Sequence, residues 1–299
     1  MAKELGVVYL ALGRPYLAMA LLSAESLVRH NPDTPFTIVT NVANQPPDVK
    51  CFRNGFDSWV YVDVDVESNR HLKTKILSYS EYEKIIFLDC DTIVMGNLSL
   101  ARKILEYFDV CLRLNRYPQK RNGKGDVKVL GDLKVSDLPH WNSGVMLVRN
   151  NAAGRKFFEN WNEKYVQIGN KYDQVALVPA IFESDARILS LEDRWNATDP
   201  GFGRGRWRKE TLVFHYATNL CNNLFHKIIE YDEMILSGTS CANQTRQFLE
   251  AKRKLKRSQM SLMRYLVINA MWRISSPAGF IEKSNPRTLK NRLKKLSLY

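Results

Sequence analysis

Two acidic residues at the end of an apolar run are the part of this sequence best suited to chemistry. Asp89 and Asp91 directly follow residues 85–88 (IIFL), a run typical of a buried strand. Two neighbouring carboxylates are costly to bury without a cation, and Mg²⁺ or Mn²⁺ binds such oxygens and bridges them to phosphates. The pattern predicts a divalent-metal site that neutralises a leaving diphosphate; the alternative is a solvated strand end.

A second Asp-x-Asp pair, Asp63 and Asp65, provides an internal comparison. It lies in the alternating segment 61–66 (YVDVDV), which predicts a half-exposed strand with both acids on one face. We interpret this pair as structural and assign the metal site to Asp89 and Asp91.

The pattern around these residues predicts the elements that position them. Strand-like runs at 5–12, 36–40, within 56–66, and at 84–88, 145–148 and 211–215 alternate with helical patterns at 16–30, 72–80, 157–166 and 171–182. This alternation predicts an α/β fold, with a mainly parallel sheet and helices on both faces. Ligands bind beyond the carboxyl ends of such strands, so the loop 12–16 and residues 89–91 are expected to lie close together.

Five blocks, in order, resemble retaining glycosyltransferase family 8, which contains glycogenin and bacterial lipopolysaccharide galactosyltransferases. They are residues 12–27, 71–75 followed by 87–91 (FLDCD), 141–147 (WNSGVML), 172–174 (YDQ) and 214–216 (FHY). The resemblance covers about residues 5–220 and implies a Rossmann-like GT-A domain. We place this domain at residues 1–240 and a basic, aromatic-containing helical tail at 241–299.

The resemblance implies metal ligands and a phosphate contact. Asp89 would contact the donor ribose and the metal, Asp91 would bind the metal with both oxygens, and His215 would be the third protein ligand. An imidazole ligand favours Mn²⁺, with Mg²⁺ as the alternative. Lys75 would offset charge on the donor phosphates, although an exposed helix lysine is the competing interpretation.

The resemblance also implies residues that bind the rest of the donor. Asn142, Ser143 and Gly144 would line the sugar pocket, and the alternative is a plain turn before a strand. Leu12 and Tyr16 would belong to the nucleotide-binding loop.

Two residues of the fourth block, 172–174, are expected to act on the transferred sugar. Asp173 would hydrogen-bond sugar hydroxyls and Gln174 would lie near the anomeric carbon; helix capping by Asp173 is the alternative. The implied reaction retains the anomeric configuration, and we favour a front-face route because no carboxylate nucleophile is evident in the sequence.

Two departures from the family pattern concern phosphate and base recognition. In the family, the motif histidine is followed by Gly and then Lys-Pro-Trp, whereas residues 216–220 after His215 are YATNL here. Arg204, Arg206 or Arg208 could replace the missing lysine, since guanidinium binds phosphate well; a solvated basic loop is the alternative. The first loop has leucine, glycine and arginine at residues 12–14 where the family has acids, which leaves the base open.

The function expected from these residues is transfer of a hexose from a nucleotide-diphosphate sugar, UDP-linked by resemblance, to a glycan or lipid-linked saccharide. Two alternatives stay open. A sugar-nucleotide pyrophosphorylase would require an early basic Gly-rich loop, of which residues 12–14 offer only a fragment. A non-catalytic binding protein held by its tail is the other.

Charge and composition address partners and location. Residues 246–299 hold 14 of the 44 Lys and Arg and 2 of the 31 Asp and Glu, so this tail carries +12 of the net +13. Basic residues with aromatics suit an anionic membrane surface, and no nucleic-acid motif accompanies them. Five widely spaced cysteines, without a CxxC pair, favour a reducing compartment. We expect a cytoplasmic protein, peripheral on the inner membrane face, and interpret the sequons at Asn97, Asn196 and Asn243 as chance matches.

Overall fold

A computed structural model describes residues 3–43, 55–115, 128–169, 172–197 and 210–215. Several predictions fall outside these residues: the phosphate contacts of Arg204, Arg206 and Arg208, the domain boundary at residue 240, and the helical tail 241–299.

Strands and helices alternate through the described residues. The strands are β1 Lys3–Leu10, β2 Phe36–Thr40, β3 Phe56–Tyr61, β4 Tyr82–Leu88, β5 Thr92–Val94, β6 Val110–Leu114, β7 Lys128–Leu130, β8 Leu133–Lys134, β9 Trp141–Arg149, β10 Ile188–Leu191 and β11 Val213–His215. The α-helices are α1 Arg14–His30, α2 Asn69–Lys73, α3 Leu100–Tyr107, α4 Ala152–Gln167 and α5 Asp173–Phe182.

Seven of the described strands form the central sheet, in the order β10-β6-β9-β4-β1-β2-β3. Every pairing in it is parallel except the two made by β9, which runs antiparallel to β4 and β6. The predicted mainly parallel α/β sheet is confirmed. Because β9 runs the other way, its first residues lie at the edge where the parallel strands end.

Helices cover both faces of the sheet, as alternation along β1 shows. Val8 and Leu10 belong to a buried apolar cluster that includes Phe157 and Trp161 of α4. Tyr9 lies between them and accepts a hydrogen bond of 3.2 Å from Ser23 of α1. Successive strand residues point to opposite faces, so α4 and α1 pack on opposite sides.

Two predicted elements are shorter than the sequence pattern suggested. The predicted helix 72–80 is instead α2, which ends at Lys73, followed by a separate 3₁₀ turn, Ile76–Tyr79. The predicted strand through 61–66 stops at Tyr61, and Asp63 and Asp65 lie exposed beyond it. The solvated, structural interpretation of this acidic pair agrees with that exposure, although its placement in a strand was wrong.

The segment before the predicted strand 145–148 is also strand. Residues 141–144 are the first part of β9, paired with β6 at Arg113 and Leu114, so the interpretation of Asn142 and Ser143 as a plain turn is wrong. Polar residues occur in this strand because its first half lies beside the site described next.

Candidate active site

A tight turn and a short strand pair bring the predicted histidine to the two aspartates. The Asp89 N–H donates to the Gly144 carbonyl of β9 at 2.8 Å, and Thr92 Oγ1 donates to the Asp89 carbonyl at 2.8 Å. The chain then forms β5, which pairs antiparallel with β11 so that His215 is opposite Thr92. This pairing places a residue more than 120 positions away in sequence beside Asp91.

Asp89, Asp91 and His215 form a three-residue cluster able to hold a metal ion. His215 Nε2 lies 3.2 Å from Asp91 Oδ1 and 3.7 Å from Asp89 Oδ2. One ligand atom from each residue lies within 4.8 Å of the others. Ligand bonds of about 2.0–2.2 Å to a common ion require such spacing, and the set of two carboxylates and one imidazole suits a divalent ion. The residues therefore fit the metal predicted from sequence.

A buried lysine that the sequence analysis did not select lies against this cluster. Lys73 Nζ is 2.7 Å from Asp89 Oδ1 and 3.8 Å from Asp173 Oδ2, and it lies 5.2 Å from the centre of the Phe87 ring. Its ammonium is thus held between two carboxylates on different elements. Burial by itself lowers the pKa of Lys73, but the Asp89 and Asp173 carboxylates outweigh it and raise the pKa.

Lys75, the lysine proposed from sequence, is exposed. Side chains two positions apart on a helical turn point to nearly opposite sides, so Lys73 and Lys75 cannot both face the aspartates. The signal that could have separated them is the spacing from the apolar residues that follow: Ile76 and Leu77, three and four positions after Lys73, are buried with it.

The two aspartates titrate in different surroundings. Burial raises the pKa of Asp89 in spite of the opposing charges of Lys73 and His215. Burial also acts on Asp91, but His215 and Lys73 outweigh it and lower the pKa of Asp91. The cluster therefore combines one carboxyl that resists ionisation with one that favours it, as expected for acids sharing a confined site.

Two of the predicted sugar-contacting residues, Ser143 and Asp173, lie against Lys73. Asp173 is the first residue of α5, and its Oδ2 accepts a hydrogen bond of 2.8 Å from Ser143 Oγ. Lys73 Nζ donates to the same Ser143 oxygen at 3.4 Å. The next residue, Gln174, accepts from Asn115 Nδ2 at 3.5 Å. The structure thus joins Ser143 and Asp173 to the cluster of Asp89, Asp91 and His215 through Lys73.

The predicted nucleotide-binding loop follows β1, beside the end of β4. Cys90 Sγ contacts the Leu10 carbonyl at 3.0 Å, which ties the acidic turn to this loop. Gly13 has a φ of 86° and its N–H donates to Asn41 Oδ1 at 2.7 Å. Leu12 is fully buried, whereas Tyr16 is 43% exposed.

The side-chain amides of Asn142 and Asn196 form a chain of hydrogen bonds that ends at His215 Nδ1. Asn142 Oδ1 accepts from the Gly144 N–H and from Asn196 Nδ2, both at 2.8 Å. Asn196 Oδ1 lies 3.0 Å from His215 Nδ1. Asn196 is fully buried, which agrees with the interpretation of its sequon as a chance match. The sequence analysis did not select Asn196, because no spacing in the sequence links it to His215.

The sequence profile of Glycosyl transferase family 8 matches residues 65–220, just over half of the chain. The chain belongs to this family. The matched region contains the two aspartates, Lys73, the start of β9 and His215.

Solved glycosyltransferase structures share the fold. The galactosyltransferase LgtC, in complex with donor and acceptor sugar analogues, has a TM-score of 0.54 at 16% identity over 79% of this chain and 97% of its own. An active-site mutant of LgtC has a TM-score of 0.55 at 17% identity over 81% and 99%. The glycosyltransferase GlyE of Streptococcus pneumoniae TIGR4 has a TM-score of 0.51 at 18% identity over 79% and 63%. The comparison with curated proteins gives no match.

Family and fold together decide between the three functions considered above. The protein is a glycosyltransferase with a GT-A fold, which sets aside the pyrophosphorylase and the non-catalytic binding protein.

Within the described ranges, none of the helices is long and apolar enough to cross a bilayer.

Proposed function

We propose that this glycosyltransferase transfers a hexose from a nucleotide-diphosphate sugar, with UDP as the nucleotide, to a glycan or lipid-linked saccharide. The proposal includes dependence on Mn²⁺ or Mg²⁺. Its main support is the convergence of Asp89, Asp91 and His215, whose ligand atoms lie within 4.8 Å of one another, at the end of the sheet where such folds bind ligands.

The metal ligands would be these three side chains. A bound divalent ion would supply Lewis-acid stabilisation of the leaving nucleoside diphosphate. Lys73 is buried against Asp89 at 2.7 Å, so its charge offsets that carboxylate and orients its second oxygen towards His215. The missing family lysine after His215 leaves the basic residues Arg204 and Arg206 as the proposed additional phosphate contacts.

The donor sugar would lie against Ser143 and Asp173. The Asp173 carboxylate accepts from Ser143 at 2.8 Å and retains lone pairs that can accept sugar hydroxyls. Its pairing with Lys73 at 3.8 Å restricts where that carboxylate can point. Gln174, held by Asn115, follows on the same helical turn and is proposed to face the anomeric carbon.

We propose transfer with retention by a front-face route. The bond between the anomeric carbon and the diphosphate oxygen breaks, and its electron pair leaves with the diphosphate. The acceptor hydroxyl adds on the same face, and its proton passes to a phosphate oxygen. The chain's residues bind, orient and stabilise charge in this scheme. NMR of the product tests it, and an inverted anomeric centre would contradict it.

The activity test is an incubation of the full chain with a panel of nucleotide sugars, with Mn²⁺, with Mg²⁺ and with EDTA. The expected result is slow release of the nucleoside diphosphate that stops in EDTA and increases with the correct acceptor. Formation of a nucleoside triphosphate from added pyrophosphate, or release that is unaffected by EDTA, would contradict the proposal. A screen for metal-dependent thermal stabilisation by each donor selects the panel.

The basic segment 246–299 supports a second element of the proposal, attachment to an anionic membrane surface on the cytoplasmic side. Its net charge of +12 is sufficient for electrostatic binding to acidic lipids. Sedimentation with anionic and with neutral liposomes, comparing the full chain with one ending at residue 245, tests it. We expect the full chain alone to sediment with anionic liposomes, and equal partitioning of both would contradict attachment.

A further inference from the structure

In the hydrogen-bonded chain from Gly144 through Asn142 and Asn196 to His215, the donor and the acceptor of each bond can be assigned. It starts at the backbone N–H of Gly144, which can only donate. Asn142 accepts this bond, so the atom at 2.8 Å is its carbonyl oxygen, Oδ1. The Asn196 atom that lies 2.8 Å from the same oxygen must therefore be its NH₂ group.

The same logic assigns the proton on the imidazole. With its NH₂ directed at Asn142, Asn196 presents its carbonyl oxygen to His215 Nδ1 at 3.0 Å. An amide oxygen only accepts, so Nδ1 carries the proton. In the neutral ring, Nε2 then holds the lone pair, and this atom faces Asp91 at 3.2 Å.

The backbone of β9 leaves room for this ring. A Cβ placed on Gly144 would overlap the imidazole atoms of His215, so a glycine is needed where the histidine crosses the strand. His215, Asn142 and Asn196 are all buried, which makes their hydrogen bonds costly to lose.

We propose that Asn196 is a positioning residue for His215: held by Asn142, it keeps the imidazole in the Nδ1–H tautomer, with Nε2 directed at the metal position between Asp89 and Asp91. The inference rests on the proposed metal site. It reassigns Asn142 and Gly144, expected from sequence to line the sugar pocket, to the support of the histidine. Ser143, between them, is the residue of this segment that faces Asp173.

The test measures Mn²⁺ binding by electron paramagnetic resonance of the metal in the absence of donor. Histidine coordination adds a ¹⁴N modulation to the Mn²⁺ spin echo. Asn196→Leu keeps the side-chain size but removes both hydrogen bonds; we expect Mn²⁺ affinity to fall roughly 10- to 100-fold, the usual effect of losing such a partner, and the ¹⁴N modulation to disappear. Unchanged affinity and an unchanged ¹⁴N signal would overturn the inference.

A matched control and a double-mutant cycle separate positioning from general stability. Asn151 also donates one 2.8 Å bond and accepts another, to Asp109 and from Gly154, but it follows the opposite end of β9. Asn151→Leu is expected to bind Mn²⁺ as the wild type does. In a His215→Ala background, Asn196→Leu should cause no further loss, since the partner through which it acts is gone. An equal loss in both backgrounds would overturn the inference.

Asn196→Asp provides the test if the leucine variant does not fold. It keeps an acceptor for the Nδ1 proton and loses the donor to Asn142, so the ¹⁴N signal is expected to persist and the affinity to fall by less than about tenfold. Loss of both in this variant would overturn the positioning role. Failure of the wild type itself to bind Mn²⁺ or Mg²⁺ would instead contradict the proposed function, which makes the two failures distinguishable.

Discussion

Asp109 and Asp91 are carboxylates next to strands of the same domain, but their partners differ. Asp109, before β6, is 2% exposed and accepts three bonds of 3.0–3.1 Å from Arg187 and one of 2.8 Å from Asn151. Asp91, before β5, faces His215 at 3.2 Å, and its side chain is 25% exposed.

The difference separates a structural acid from one arranged for a ligand. The Asp109 carboxylate is satisfied within the chain, and hydrogen bonds from Arg187, which outweigh burial, lower its pKa to about 2. At the other end, the buried ammonium of Lys73 lies among Asp89, Asp91 and Asp173, and Arg70 approaches Asp173 at 4.0 Å. Three carboxyl groups there face two permanent cations. An added cation improves the second arrangement and would disturb the first.

Asp91→Asn is expected to give the largest effect, a strong loss of turnover with little change in the free energy of unfolding. Loss of a metal ligand should lower turnover roughly a thousandfold, equivalent to about 4 kcal/mol, because charge on the leaving diphosphate is then poorly stabilised. The free energy of unfolding in EDTA should fall by less than about 1 kcal/mol, because the partly exposed Asp91 loses only its attraction to His215 and Lys73. Donor turnover and urea denaturation measure the two effects; strong destabilisation would place Asp91 with Asp109 as a structural acid.

Substitution of Lys73 is expected to give the next largest effect, with Lys75 as the control. Lys73→Met keeps the length of the side chain and removes its charge from between Asp89 and Asp173, so turnover should fall about a hundredfold, or about 3 kcal/mol. Lys75→Met is the matched control, expected to stay within about threefold of wild type because Lys75 is exposed. Steady-state kinetics of both variants measure these losses. A larger loss of turnover in Lys75→Met than in Lys73→Met would favour Lys75 as the phosphate-facing lysine.

Asp109→Asn should show the opposite pattern to Asp91→Asn. It weakens charge-assisted bonds from Arg187 at a buried position, and we expect a loss of about 2 kcal/mol of unfolding free energy. Turnover per folded molecule should be unchanged, because Asp109 lies at the end of the sheet away from Asp89, Asp91 and His215. Chemical denaturation and kinetics on the folded fraction test this, and a substantial loss of turnover would contradict it.

The smallest effect is a difference in acid stability. A folded-state pKa of about 2 for Asp109, against an ordinary value of 3.8, means that its contribution is complete above pH 4 and is lost as pH falls towards 2. The stability gap between wild type and Asp109→Asn should therefore shrink over that window. Urea unfolding at pH 6, 4 and 3 measures the gap, and a constant gap would show that ionised Asp109 is not its source.

Prediction from sequence worked best where a local pattern carries the information. The apolar run before Asp89 predicted β4 with little error, and alternating strands and helices predicted a mainly parallel sheet. It did not select the buried Lys73, because where helix α2 ends decides which lysine points inward. It also failed at residues 141–144, since a polar strand segment beside a site resembles a turn in sequence.

By itself, the sequence determined β1 to β4, β9, β11 and helices α1, α4 and α5, the acidic turn after β4 and, by ordered motifs, the family, because propensity, burial pattern and motif order are properties of neighbouring residues. It gave no prediction of β5 to β8, β10 or α3. Only the tertiary structure decided that β9 runs antiparallel to β4, that β11 brings His215 to Asp91, and that Asn196 holds the imidazole. The residues joined by these contacts are separated in sequence by 19 to more than 120 positions. Strand pairing brings such distant segments together, and it depends on the packing of the whole sheet.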